Sequence, residues 1–188
     1  MVHLCKKTIM RKNLRGNMHR TIIRTIEPED LSMLKAAFIT RGLDRDKEYF
    51  ERCLEENKYN ERITLLAFYN NTLAGCCQMK CHSEYSYFKE KHIPEISDLI
   101  VFPEFRRNGI ATVIMDELER IAAKHHNYVG LGVGLYKDYS TAMHIYLKRG
   151  YLPDRQGITY DNDSVEPGTK VMVDDQLLMY FVKGLRNE

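Results

Sequence analysis

No apolar run in this 188-residue chain approaches the roughly 20 residues that a membrane span requires. The first stretch also lacks the apolar core of a secretory leader, so neither a span nor a leader is expected. Acidic residues are missing from residues 1–20, which hold Lys6, Lys7, Arg11, Lys12, Arg15 and Arg20. That segment contributes +6 to a chain total of +2, so residues 21–188 carry −4. A mildly acidic domain is a poor phosphate-backbone binder, and no nucleic acid is expected as its partner. The five cysteines, Cys5, Cys53, Cys76, Cys77 and Cys81, are odd in number and clustered, unlike a disulfide framework. Cys77-x-x-x-Cys81-His82 has the outline of a metal fragment, but no second ligand pair follows. Reduced thiols and no metal are the expectation, in a cytoplasmic setting.

The length suits one domain with one core, here residues 21–188, behind a basic segment 1–20 expected to be a disordered extension. No internal repeat interrupts it. Thr21–Thr25 reads as a strand, and Glu27-Pro28-Glu29-Asp30 opens a helix that places Leu31, Leu34, Ala37 and Phe38 on one face. A second helix is expected over Arg45–Glu56. Ile63–Tyr69 and Leu73–Cys81 flank Asn70-Asn71 as a hairpin. Ser83–His92 is read as a strand extension or a loop. A strand through Phe102 follows Pro94, and Pro103 stops it. Ile110, Val113, Ile114, Leu118, Ile121 and Ala122 recur at helical spacing. Tyr128–Leu135 is a strand, a short helix holds Ala142, Ile145 and Tyr146 until Gly150, and strands at Tyr151–Tyr160 and Gln176–Val182 close the chain. The fold class is α/β (α+β), with about four helices beside a seven-stranded sheet. Its hairpins make the sheet mostly antiparallel. The long helix lets strands four and five run parallel.

One stretch stands out chemically. Arg106-Arg107-Asn108-Gly109-Ile110-Ala111 joins the apolar run Leu99–Phe102 to the strongest helical pattern in the chain. A strand, a tight turn and a helix start compressed in this way present bare N–H groups to an anion such as a diphosphate. Gly109 permits close approach, and Arg107 or Arg106 adds a charge-assisted bond.

Arg106-x-x-Gly109-x-Ala111 between strand and amphipathic helix resembles motif A of the GNAT superfamily, the Gcn5-related N-acetyltransferases. Val101-x-Pro103 resembles the family's strand end. Ala142-x-x-x-Tyr146-x-x-x-Gly150-Tyr151 resembles its second feature, and the likeness covers about Thr21–Leu185. The resemblance implies acetyl-CoA as co-substrate and a splay between strands four and five. It implies pairing of the pantetheine arm with the main chain of Leu99, Ile100 and Val101. It also implies that Arg107, Asn108, Gly109, Ile110, Ala111 and Thr112 hold the pyrophosphate. Gly130, Gly132 and Gly134 share one strand face, read first as part of the resulting cleft and otherwise as tight packing under a helix.

Acetyl transfer to an amine needs a proton removed from an ammonium of pKa near 10.4 and a proton supplied to the departing thiolate. Tyr146 is the candidate donor, by the family's placement of this tyrosine near the CoA sulfur. Asp98, on a strand face with Ile96 and Ile100, is the candidate base, because apolar surroundings raise a carboxyl pKa. Glu95 stands second. The family's asparagine three residues before the helix alanine is replaced here by Tyr139. His125-His126 reads as an ordinary helix end. Asp161, Asp163, Glu166, Glu84, Glu90 and Glu95 either surround a cationic acceptor or are merely solvated. Tyr85, Tyr87 and Phe88 either wall the site or cover the hairpin edge. The expected activity is acetyl-CoA-dependent N-acetylation of a primary amine, preferably of a small molecule, by direct attack in a ternary complex. A peptide or protein acceptor and a non-catalytic acyl-CoA-binding regulatory module are the alternatives. The reading accommodates a homodimer.

Overall fold

The computed structural model describes residues 7–12, 18–43, 45–46 and 48–185. The chain divides into two units, Met1–Met79 with Asp98–Glu117, and Lys80–Ser97 with Leu118–Glu188. The first contains β1 (Lys7–Lys12), β2 (Met18–Thr25), α1 (Leu31–Ile39), α2 (Tyr49–Lys58), β3 (Arg62–Tyr69) and β4 (Thr72–Lys80). The second contains α3 (Ser86–Lys91), β6 (Tyr128–Gly134), α5 (Ser140–Lys148), β7 (Leu152–Tyr160), β8 (Asp163–Ser164) and β9 (Leu177–Gly184). Two elements belong to both. β5 (Glu95–Val101) changes unit between Ser97 and Asp98, and α4 (Ile110–Ala122) between Glu117 and Leu118.

Strand order in the first unit is β1-β2-β3-β4-β5 and in the second β5-β6-β9-β7-β8. Among the described residues, the registers of β1 with β2, β2 with β3, β6 with β9, and β7 with β8 and β9 are antiparallel. β5 and β6 run parallel, with Glu95 opposite Gly130 and Ile96 opposite Leu131. The architecture is the expected mixed, mostly antiparallel α/β fold.

In the first unit Ile26, Leu34, Phe38, Phe50, Leu66, Leu73, Cys76 and Phe102 form one buried cluster. Phe38 meets Phe50 and Phe102 edge-on, with ring centroids 4.9 and 5.8 Å apart. Each such side chain contributes roughly 1.5–3 kcal/mol when fully buried. Asn70 and Asn71, at φ 48° and 68°, make the β3–β4 turn in the left-handed conformation that two-residue hairpins need. In the second unit Tyr85, Phe88, Ile93 and Tyr180 form one buried cluster.

The structure departs from the sequence reading at four places. The expected extension, residues 1–20, falls partly outside the described residues, but its Lys7–Lys12 is strand β1, paired from Lys7↔Ile23 to Lys12↔Met18. β8 adds a further strand between those expected at Tyr151–Tyr160 and Gln176–Val182. Together these make nine strands among the described residues rather than seven. Ser83–His92 is mostly helix, because Ser83 Oγ accepts the Tyr85 N–H (3.1 Å) and Phe88 is drawn into the core. α2 starts at Tyr49 rather than Arg45. The Asp46 carboxylate accepts the Glu48 N–H and its carbonyl accepts the Tyr49 N–H, a local turn that competes with helix.

The entry to α1 rests on a buried ion pair. Asp30 takes both guanidinium nitrogens of Arg24 at 2.6 Å and the Glu27 N–H at 2.8 Å, and its side chain is 6% exposed. Removing the carboxylate strands a half-buried arginine and a backbone donor. Asp30→Ala is therefore expected to lower unfolding free energy by about 2–3 kcal/mol. A urea titration checks this, and a loss below about 0.5 kcal/mol contradicts it.

Candidate functional site

The turn between β5 and α4 is built by its own side chains. Arg107 and Gly109 are left-handed, at φ 62° and 75°. Asn108 fastens the loop between them. Its Oδ1 accepts the Tyr69 hydroxyl (3.2 Å), and its Nδ2 donates to the carbonyls of Phe105 (3.1 Å) and Arg106 (3.2 Å). Arg106 Nε donates to the Val101 carbonyl at 3.2 Å. The Val113 N–H reaches the Gly109 carbonyl (3.1 Å) as the first helical bond. Among the described residues no acceptor engages the main-chain N–H groups of Gly109 through Thr112. Thr112 at the end of the row is exposed, as are Arg106 and Arg107 before it, while Gly109 and Ala111 are half-buried and Ile110 is buried. A thirteen-residue helix adds its positive end there. The row and two left-handed residues have the form of an anion nest. Arg106 is turned onto the strand end at Val101, and Arg107 is exposed beside the row.

Leu99, Ile100 and Val101 follow Asp98 in the same unit and are half-buried. β4 approaches them closely. A Cβ on Gly75 would come 2.2 Å from the Ile100 carbonyl oxygen, so only glycine allows this spacing. Asp98 is itself left-handed, at φ 51°. Its surroundings are not the aliphatic ones expected. Its carboxylate accepts the Tyr49 hydroxyl and lies 3.1 Å from Arg45 Nη2. That correction weakens the case for Asp98 as a base, because its charge already has a partner.

The neighbouring cysteines are inert. Burial pushes the Cys76 thiol up to about 12 and those of Cys53 and Cys77 upward too, so all three stay protonated at neutral pH.

Tyr146 belongs to the second unit, on α5, and is buried. Its ring meets Tyr151 edge-on at 6.0 Å, and Gly150, at φ 87°, ends the helix as read from sequence. Glu95, the second base candidate, is buried and accepts the Ser83 hydroxyl at 2.5 Å.

The glycine face of β6 is filled rather than open. A Cβ on Gly130 would lie 2.2 Å from the Phe88 ring, one on Gly132 3.1 Å from Tyr180, and one on Gly134 2.4 Å from Tyr139. These glycines seat aromatic rings, which replaces the expected cleft lining. Tyr85 and Phe88 are likewise core, with Tyr85 stacked on Tyr180 at 3.8 Å. Tyr139, in the position of the family's asparagine, donates to Asp175 (2.9 Å), as does Tyr136. Of the acidic residues, Glu84, Glu90, Asp161, Asp163 and Glu166 are exposed. His126 Nδ1 lies 3.1 Å from the His92 carbonyl, and burial lowers its pKa, which keeps it neutral.

The sequence reading missed Arg45, Tyr49 and Gln78. A signal existed: Gln78 interrupts the apolar run Leu73–Cys81, and a polar residue in a buried strand needs partners.

The profile of the acetyltransferase (GNAT) family matches residues 30–151. The chain belongs to this family. It is thus a GNAT N-acetyltransferase, an acyltransferase, and acetyl-CoA is the co-substrate typical of such enzymes. Solved structures share the GNAT fold at low identity. An N-acetyltransferase from Staphylococcus aureus Mu50 superposes with a TM-score of 0.65 and 16% identity, over 88% of this chain and 99% of that one. The yncA protein of Salmonella typhimurium, solved with its cofactor acetyl-CoA, gives 0.64 and 14%, over 89% and 95%. A ribosomal-protein-alanine N-acetyltransferase from Brucella melitensis gives 0.62 and 19%, over 86% and 98%. The curated proteins contain no match to the chain. Among the described residues of this GNAT chain no helix is long and apolar enough to cross a membrane.

Proposed function

We propose that this GNAT enzyme transfers the acetyl group of acetyl-CoA to a primary amine of a small molecule, by direct attack in a ternary complex. The observation that carries the reading is the row of main-chain N–H groups from Gly109 to Thr112 with no acceptor within the described chain. A diphosphate fits that row in charge and in hydrogen-bonding capacity, with the exposed Arg107 beside it. Arg106 supports the row indirectly, by holding the end of the strand at Val101. The main chain of Leu99–Val101 pairs with the pantetheine arm.

The amine must be neutral to attack. At pH 7 an alkylammonium of pKa near 10.4 loses its proton at a cost of about 4.6 kcal/mol. The amine nitrogen then bonds to the thioester carbonyl carbon and the C–S bond breaks, its electron pair passing to sulfur. Tyr146 supplies the proton that sulfur takes up, and recovers one from the amide-forming nitrogen through solvent. Asp98 carries no proton in this scheme, since Arg45 and Tyr49 already occupy it.

A peptide or protein amino group is the second reading. It is favoured by the shared fold of the Brucella melitensis enzyme named for a ribosomal-protein alanine. The test is thiol release from acetyl-CoA across a panel of small amines and peptides. Amine-dependent release is expected. Release with peptides alone favours the second reading, and tight acetyl-CoA binding without release on any acceptor overturns both.

A further inference from the structure

Asp98 has a backbone that strands do not use. At φ 51° it is left-handed within β5, between Ser97 and Leu99. Aspartate tolerates that region better than most residues, yet it persists in a strand only when its surroundings hold it. A left-handed residue in a strand re-aims the peptide groups that follow. Here those are Leu99, Ile100 and Val101.

What holds Asp98 is a chain of polar groups within the first unit. Tyr49 Oη donates to one carboxylate oxygen and Arg45 Nη2 to the other, with the Arg45 and Asp98 side chains 31% and 34% exposed. Tyr49 Oη in turn accepts Gln78 Nε2 at 2.6 Å. Gln78 is 1% exposed, its Oε1 accepts Arg62, and Arg62 Nε donates to Glu56. Gln78 Nε2 also lies 3.2 Å from Cys53 Sγ. Tyr49, Cys53 and Glu56 follow one another at helical spacing along α2, so one helix face meets β3, β4 and β5 through polar atoms. Burial and the adjacent carboxylate push the Tyr49 phenol pKa up, which leaves its hydroxyl a donor to Asp98. A buried polar chain is a costly way to join a helix to strands that apolar side chains would join more cheaply.

We propose that Tyr49 is a positioning residue. Its hydroxyl clamps the left-handed Asp98 and thereby sets the direction of the Leu99–Val101 main chain toward the acyl arm of the substrate. The proposal rests on the reading above that this stretch pairs with the pantetheine arm. It assigns Asp98 a conformational role instead of a proton.

The decisive experiment is a backbone-rescue series measured with acetyl-CoA and the best amine of the panel. Tyr49→Phe is expected to lower kcat at least about tenfold. Adding Asp98→Gly to Tyr49→Phe should recover most of that loss, since glycine adopts positive φ without a clamp. Among single variants, Asp98→Gly and Asp98→Asn should keep at least about ten times the kcat of Asp98→Ala, because alanine resists this conformation. If glycine, asparagine and alanine at Asp98 are equally inactive, or the pH dependence of kcat/KM loses a limb in all three, Asp98 is a proton acceptor and the proposal falls.

Amide exchange gives a second measurement that needs no turnover. Leu99–Val101 should lose protection in Tyr49→Phe and regain it in the double variant. Unchanged protection overturns the clamp even if no acceptor is found. A parent protein that releases no thiol with any amine, while the exchange pattern behaves as expected, leaves the clamp standing and removes the acceptor reading.

Discussion

Gly109→Val protein is expected to bind acetyl-CoA about 100-fold more weakly than the parent, a loss of about 2.7 kcal/mol. Two effects combine. Gly109 is at φ 75°, and an L-residue pays roughly 1–2 kcal/mol there, with β-branching adding to the difficulty. The valine side chain also projects beside the row of N–H groups at Gly109–Thr112. Each charge-assisted bond to phosphate lost from that row removes about 1.5–3 kcal/mol. Calorimetric titration measures the effect, and a truncated thioester that keeps the pantetheine arm but lacks the diphosphate separates the causes. The variant and the parent should bind the truncated thioester alike. If acetyl-CoA affinity stays within about threefold of the parent, the turn does not hold the diphosphate.

Tyr146→Phe is expected to reduce kcat by about 10²–10⁴, the range of a positioned proton donor, and to leave acetyl-CoA affinity unchanged. Phenylalanine keeps the ring and its edge-on contact with Tyr151, so α5 and its packing should survive. A thermal melt checks this. The proton matters most when the departing thiolate is basic. An acyl donor whose thiol is more acidic should therefore suffer less from the substitution than acetyl-CoA does. An equal loss for both donors would point to a ring that orients the thioester instead of protonating sulfur. No loss for either would remove Tyr146 from the reaction.

The turn before α4 was legible because its determinants are local. Gly109 declares its conformational freedom, and Ile110, Val113, Ile114, Leu118, Ile121 and Ala122 declare the buried helix face, which the structure reproduces. Asn70-Asn71 marked the hairpin for the same reason. The residues misread depend on partners far along the chain. Asp98 looked like a carboxylate among aliphatic neighbours, because strand alternation says nothing of a guanidinium 53 positions earlier that closes on it. Gly130, Gly132 and Gly134 looked like room for a ligand, and the rings of Phe88, Tyr180 and Tyr139 occupy that room. α2 begins late because the Asp46 side chain accepts the Glu48 N–H, a local turn that competes with helix.

Apart from β1, α3 and β8, the order of elements, the parallel pairing of β5 with β6 and the turn before α4 were readable in the amino-acid sequence alone. Each is set by neighbours within a few residues or by the periodicity of one element. The environment of each candidate catalytic group came only from the tertiary structure. A side chain's charge state and freedom depend on what long-range packing brings within hydrogen-bonding distance, and spacing along the chain does not encode that directly. For this reason Asp98 acquired Tyr49 and Arg45 as partners that its place in the sequence does not announce.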